Sequence, residues 1–262
     1  MSPAEFAAEA LGTSVDAVER VDEIKHGLTN ESWRASVGNA SVIVRISRAD
    51  EQALQIDRTS EAAILRAVAE ASIGAEVLLC DPARHVLVTR DLGATWAETD
   101  PHARHNSVRL AYLVRRLHEL PVPAGTREVN LIDAMRGYLR TLDEYGRAPA
   151  PAVPQLRARG EEVGKTLALD TKPSLCHNDI HHLNVVEGEH LRLIDWEYAG
   201  VGEPMFDLAS ICVYHGFSRE QRADLLRAYA VNPLYAQWHR LELACWLFEY
   251  IRELWMEVRA VV

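Results

Sequence analysis

Apolar and polar positions alternate with the period of strands at the start of the chain and shift to helical spacing further on. Val18 to Ile24 and Trp33 to Val37 read as short strands around the turn Lys25 to Asn30. Gly38 and Asn39 mark a second hairpin turn. Ser41 to Ile46 is β-branched and apolar, and it predicts a strand buried on both faces. Asp50 to Ala71 is rich in Ala, with Ile64, Leu65 and Val68 at helical spacing, so it predicts a helix. Glu76 to Cys80 and His85 to Arg90 predict another strand pair around Asp81 and Pro82. Beyond Thr89 to Ala94 the pattern is mostly helical. His105 to Leu120 carries Leu110, Leu113, Val114 and Leu117 on one stripe and is ended by Pro121. Asn130 to Glu144 and Pro154 to Leu169 predict two more helices, separated by a loop with Pro149 and Pro151. The pattern is α+β, with a small lobe over residues 1–92 and a larger, mainly helical one over residues 93–262.

Composition narrows the class. Of 262 residues, 48% are hydrophobic and 25% charged, which suits a globular chain rather than a disordered one. The formal net charge of -10 comes without a basic patch, so nucleic acid is not an expected partner. That acidity weakly favours a cationic second substrate. Cys80, Cys176, Cys212 and Cys245 are scattered and form no C-x-x-C pair, so reduced thiols in a cytoplasmic protein are expected. Met1 to Phe6 has no basic segment followed by an apolar run. No stretch approaches a membrane span, and neither a leader nor a membrane partner is expected.

The chemistry concentrates between Leu175 and Ala209. Asn184 lies five residues after Asp179, and Asp195 eleven after Asn184. Val185 and Val186 begin a strand, Glu187 to His190 turn, and Leu191 to Ile194 return, so the hairpin brings Asn184 and Asp195 together. Phosphoryl transfer needs one carboxylate to take the proton of the attacking hydroxyl, and oxygen ligands to hold Mg²⁺ against the phosphates. Asp179 fits the first task. Asn184 and Asp195 are hard oxygen donors that fit the second. A zinc cluster of His177, Asp179, His181 and His182 is the competing reading, but it leaves Asn184, Asp195, Arg45 and Glu61 without a task.

This segment resembles the catalytic core of the aminoglycoside phosphotransferase and choline kinase superfamily. His177-Asn178-Asp179 stands where protein kinases have His-Arg-Asp, and Asp195-Trp196-Glu197 where they have Asp-Phe-Gly. The resemblance implies the two-lobed protein-kinase-like fold, with a small antiparallel sheet lobe and a larger helical lobe, and an enzyme using ATP and Mg²⁺. It places Arg45 where a kinase has its phosphate-contacting Lys, with Glu61 on the next helix as its ion partner. The run Gly27-Leu28-Thr29-Asn30 is similar to the phosphate-covering loop of bacterial choline and thiamine kinases, so Gly27, Thr29 and Asn30 become nucleotide candidates. Asp207 matches a position that tethers the catalytic loop through its backbone, and His177 is given a similar supporting task.

The second substrate rests on weaker signals. Trp246, Glu249, Tyr250 and Glu253 share one face of a late helix, and aromatics with carboxylates attract a protonated or quaternary amine. Glu197 and Tyr198 follow the metal Asp and are further candidates. The expected acceptor is a small amine-bearing alcohol of the choline or thiamine type. An aminoglycoside or other antibiotic is the alternative, and a catalytically dead nucleotide-binding module is the reading from another class. Oligomeric state is not legible.

Overall fold

In the computed structural model, which describes residues 1–262 except 26–28, 49, 170, 231 and 232, the N-terminal alternation becomes an antiparallel sheet. Helix α1 (Pro3–Leu11) precedes it. The strands are β1 (Arg20–Ile24), β2 (Asn30–Val37), β3 (Ala40–Ser47), β4 (Val77–Asp81) and β5 (Val86–Arg90), in the order β1-β2-β3-β5-β4. Burial along β3 alternates. Val42, Val44 and Ile46 join Phe6 and Ala7 in an apolar cluster beneath α1. Ile43 and Arg45 line a cleft on the other face. The expectation of two buried faces therefore fails, because one face of this strand is the wall of a site.

The helix expected from Asp50 starts later, as α2 (Arg58–Glu70). Asp57 caps it, accepting from the N–H groups of Thr59 at 3.0 Å and Ser60 at 2.9 Å. Residues ahead of the cap form a turn with Gln55 at φ 58°. They still bury Ala53, Leu54 and Ile56, so their apolar character serves the core without helical geometry.

After β5 the chain is mainly helical, with α3 (Arg104–His118), α4 (Leu131–Glu144) and α5 (Pro154–Ala168). Two small ladders follow. β6 (Ser174–Cys176) pairs with β9 (Gly200–Gly202), and β7 (Val185–Glu187) with β8 (Leu191–Leu193). Then come α6 (Pro204–Tyr214), α7 (Arg219–Tyr229) and α8 (Tyr235–Arg259), the last packing against α4, α5 and α6. The larger apolar cluster runs from Ile64 and Val68 of α2 to Leu247 and Leu254 of α8. Between the sheet and this helical body lies a cleft of about 1410 Å³. Among the described residues no helix is long and apolar enough to cross a membrane.

Candidate active site

The loop after β6 is built around a buried carboxylate. Asp207, in the first turn of α6, accepts the N–H groups of His177 at 2.9 Å and Asn178 at 2.6 Å. These bonds accompany a left-handed Asn178 (φ 67°), a conformation Asn tolerates better than most residues. His177 Nε2 donates to the Ile194 carbonyl at 2.9 Å, and Asn178 Nδ2 donates to the Tyr198 carbonyl at 2.9 Å. The loop after β6 and the Asp195 segment are thus strutted together. Behind them, the His118 ring meets Asp207 at 2.9 Å and the Tyr229 hydroxyl at 2.8 Å. His118, Cys176 and Asp207 lie close enough to share a metal ion. Both nitrogens of His118 and both oxygens of Asp207 are already engaged, so the trio reads as support for the loop.

Asp179 reaches the cleft from this support. The Tyr214 hydroxyl donates to its Oδ1 at 2.6 Å. Asn184 Nδ2 donates to the Asp179 carbonyl at 2.9 Å. Burial raises the proton affinity of Asp179, and the bond from Tyr214 works against that rise. His181 Nε2 stands 3.7 Å from Asp179 Oδ2, and burial lowers its pKa to about 4, so this ring is neutral near pH 7.

The β7–β8 hairpin closes where the spacing requires. Ile194 donates its N–H to the Asn184 carbonyl at 3.0 Å, which sets Asp195 beside Asn184. Asp195 itself is left-handed (φ 65°), a strained conformation of the kind that collects at functional sites. Arg45 links it to the small sheet, with Nη1 3.0 Å from Asp195 Oδ1 and Nη2 2.6 Å from Glu61 Oε1. Burial and the neighbouring charge of Glu197 push the Asp195 pKa up to about 8, against the pull of Arg45. A carboxylate this crowded by like charge suits a cation. The Asn184 amide nitrogen is occupied, which leaves its Oδ1 for the same ion. The donor set is two hard oxygens in a cleft, which fits Mg²⁺.

Arg58, which no pattern in the sequence singled out, holds the two sides of the cleft together. All five of its N–H donors are used. They reach Glu51 at 2.8 Å, Glu61 at 2.8 Å, Glu197 at 3.0 Å, Asn30 Oδ1 at 2.9 Å and Ser47 at 2.8 Å. Glu197, expected to face the substrate, lines the cleft but is largely buried within this network. It accepts from Thr29 Oγ1 at 2.6 Å and Asn30 Nδ2 at 2.7 Å. Thr29 and Asn30 line the cleft, yet their side chains are tied to Glu197 rather than free for phosphate. Gly27 lies outside the described residues.

The late helix presents a different face from the expected one. Phe248, Ile251, Arg252, Trp255, Met256 and Arg259 of α8 line the cleft. Trp246, Glu249, Tyr250 and Glu253 do not. Tyr250 is buried against Gly160 of α5, where a Cβ would collide with Met135 and crowd the Tyr250 ring. Trp246 stacks on Tyr250, with centroids 5.5 Å apart, and carries the Arg159 guanidinium 4.2 Å from its ring centre. Glu249 and Glu253 are exposed beside them. The face expected to hold an amine therefore points away from this cleft, with Trp246 and Tyr250 packed together and the two carboxylates exposed. Tyr198 does reach the cleft, and its hydroxyl accepts from Trp255 Nε1 at 2.8 Å. Tyr214 is the contact to Asp179 that sequence reasoning missed.

A small antiparallel sheet over a helical body, with the cleft between them, defines the protein-kinase-like class of fold. Within that class the chain belongs to the phosphotransferase enzyme family, whose pattern it matches over residues 20–243. It is 28% identical over 212 residues to the protein LicA of Haemophilus influenzae, which covers 78% of this chain and 60% of that protein. It is 33% identical over 137 residues to the thiamine kinase of Salmonella heidelberg, covering 51% of this chain and 47% of that one. The chain thus spans about half to three-fifths of these relatives. The crystal structure of the choline kinase LicA from Streptococcus pneumoniae is similar in fold, with a TM-score of 0.82 at 22% identity over 97% of this chain and 90% of that one.

Proposed function

We propose that the chain transfers the γ-phosphate of ATP, with Mg²⁺, to a hydroxyl of a small molecule. The observation that carries the reading is the meeting of Asp179, Asn184 and Asp195 in one cleft, with Arg45 held between Asp195 and Glu61. Asp179 takes the proton as the acceptor oxygen attacks, and the Tyr214 hydroxyl fixes the orientation of its carboxylate. Asn184 Oδ1 and Asp195 would hold Mg²⁺, which when bound neutralises charge on the phosphates. Arg45 offers a fixed cation to the same phosphates, and its bond to Glu61 keeps it extended across the cleft. Family membership supports small-molecule phosphotransfer. The names of the relatives make choline and thiamine the first acceptors to assay, with ethanolamine and aminoglycosides next.

The test is ATP turnover by the full chain over that panel, repeated with Asp179→Asn. Loss of about 10²–10⁴-fold in kcat is expected, with ATP binding kept. Turnover within a few-fold of wild type would place the base elsewhere. Nucleotide binding without turnover on any acceptor would favour an inactive binding module.

A further inference from the structure

The cleft has the wrong charge for a bare amine where α8 lines it. Its α8 wall presents Arg252 and Arg259 and no carboxylate, since Glu249 and Glu253 project from another face. The α4 wall adds one charge of each sign, Asp133 and Arg140, and exposed Glu128 lies just before it.

The aromatic faces a quaternary amine would need are partly covered. The Arg252 guanidinium lies 5.6 Å from the Tyr214 ring centre, and that of Arg259 lies 6.0 Å from the Trp255 ring centre. A cationic head group would meet two guanidiniums there. Arg252 also makes no hydrogen bond or ion pair among the described residues, and its Nε is buried without a partner. Buried arginine donors are ordinarily satisfied, and a carboxylate or phosphate accepts from them in pairs. Arg252 contacts the same Tyr214 side chain that bonds Asp179, so a group on Arg252 lies within a few bonds of a hydroxyl on Asp179.

We propose that Arg252 anchors an anion subsite, so that the acceptor carries a carboxylate or phosphate group near its reactive hydroxyl. The proposal rests on the phosphotransferase reading for the role of Asp179, but the subsite can be read by binding alone.

The probes are three-carbon alcohols that differ in charge. Glycerate and glycerol 3-phosphate are anionic, glycerol is neutral, and 2-amino-1,3-propanediol is cationic. Choline is added as a quaternary amine. Each is titrated calorimetrically into the full chain with Mg²⁺ and a non-hydrolysable ATP analogue, and assayed separately for MgATP turnover. At least one anion is expected to bind about tenfold or more tighter than the neutral and cationic probes. Which anion wins distinguishes carboxylate from phosphate. Arg252→Gln is expected to erase the preference, while Arg252→Lys keeps part of it, separating charge from packing. Tighter binding of choline or the amino diol, no measurable binding of either anion, or an unchanged ranking in Arg252→Gln each overturns the subsite. Absence of MgATP turnover with every probe, beside an intact anion preference, counts against the phosphotransferase reading instead.

Discussion

Asp195 is held in a position its own chemistry opposes. Its backbone is left-handed, its carboxylate lies near Glu197, and its pKa is raised to about 8. The unfolded chain would have it near 4. Its stabilising contribution is therefore complete below about pH 4 and lost as pH rises through about 8. Asp195→Asn removes the charge with little change in shape. In metal-free protein the variant should melt at the same temperature as wild type near pH 4 and a few degrees higher near pH 9. If Asp195 holds Mg²⁺ as proposed, the ion should narrow the gap, because the carboxylate binds it more tightly than the amide. Thermal melts at the two pH values check this, and a variant less stable at pH 9 would refute it. Asp179, Asn184 and Asp195 were legible in the sequence because one hairpin brings the last two together and fixed spacing sets the first. Tyr214 was not, since it reaches Asp179 only through the packing of α6 beside the loop. Nothing in its local sequence distinguishes it from a core tyrosine.

The same contrast holds between elements. Periodicity found α3, α4 and α5, since burial on one side leaves a stripe whatever the partner, but it did not single out α6 or α7. It did not find which side of α8 faces the cleft. That depends on Gly160 and Met135, which receive Tyr250 and turn Arg252 and Trp255 inward. Arg58 was hidden for a similar reason. It is the first residue of α2, an ordinary surface position by pattern, yet it joins α2, β3, the segment at Asn30 and Glu197. Its carboxylate partners Glu61 and Glu197 are nearly inaccessible, at 2% and 3% exposure. Taking one cation out of such a network leaves buried negative charge uncompensated. Arg58→Met should therefore cost about 3–5 kcal/mol by chemical denaturation. Arg58→Lys should recover only part of that, because an ammonium cannot serve five acceptors spread over a plane. The Michaelis constant for ATP should also rise in both variants, since Thr29 and Asn30 lose the partner that positions Glu197. Wild-type stability in Arg58→Met would show the network to be incidental.

At the scale of the molecule, the net charge of -10 pointed towards a cationic substrate, but the α8 wall of the cleft carries arginines and no carboxylate. Overall charge is a sum over a surface, whereas recognition depends on the few groups lining one wall. The division of the chain into a sheet and a helical body raises a related question about folding. Ile64, Leu65 and Val68 of α2 belong to the apolar cluster that continues through α3 and α4 to α8, while the sheet and α1 share a smaller one. Arg58 adds an ion pair from the small-lobe side to buried Glu197. Unfolding the small part alone would open the larger core and strand that carboxylate. One cooperative transition is thus expected, although chains of this size often show two. Urea unfolding followed by tryptophan fluorescence and by far-ultraviolet circular dichroism should give coincident curves, Trp33 lying in the sheet and Trp246 in α8. Ile64→Ala, at a fully buried site, should cost about 2–5 kcal/mol and move both curves together. If instead only an early, separate phase shifted, α2 would belong energetically to the sheet, and the shared core would not couple the two parts.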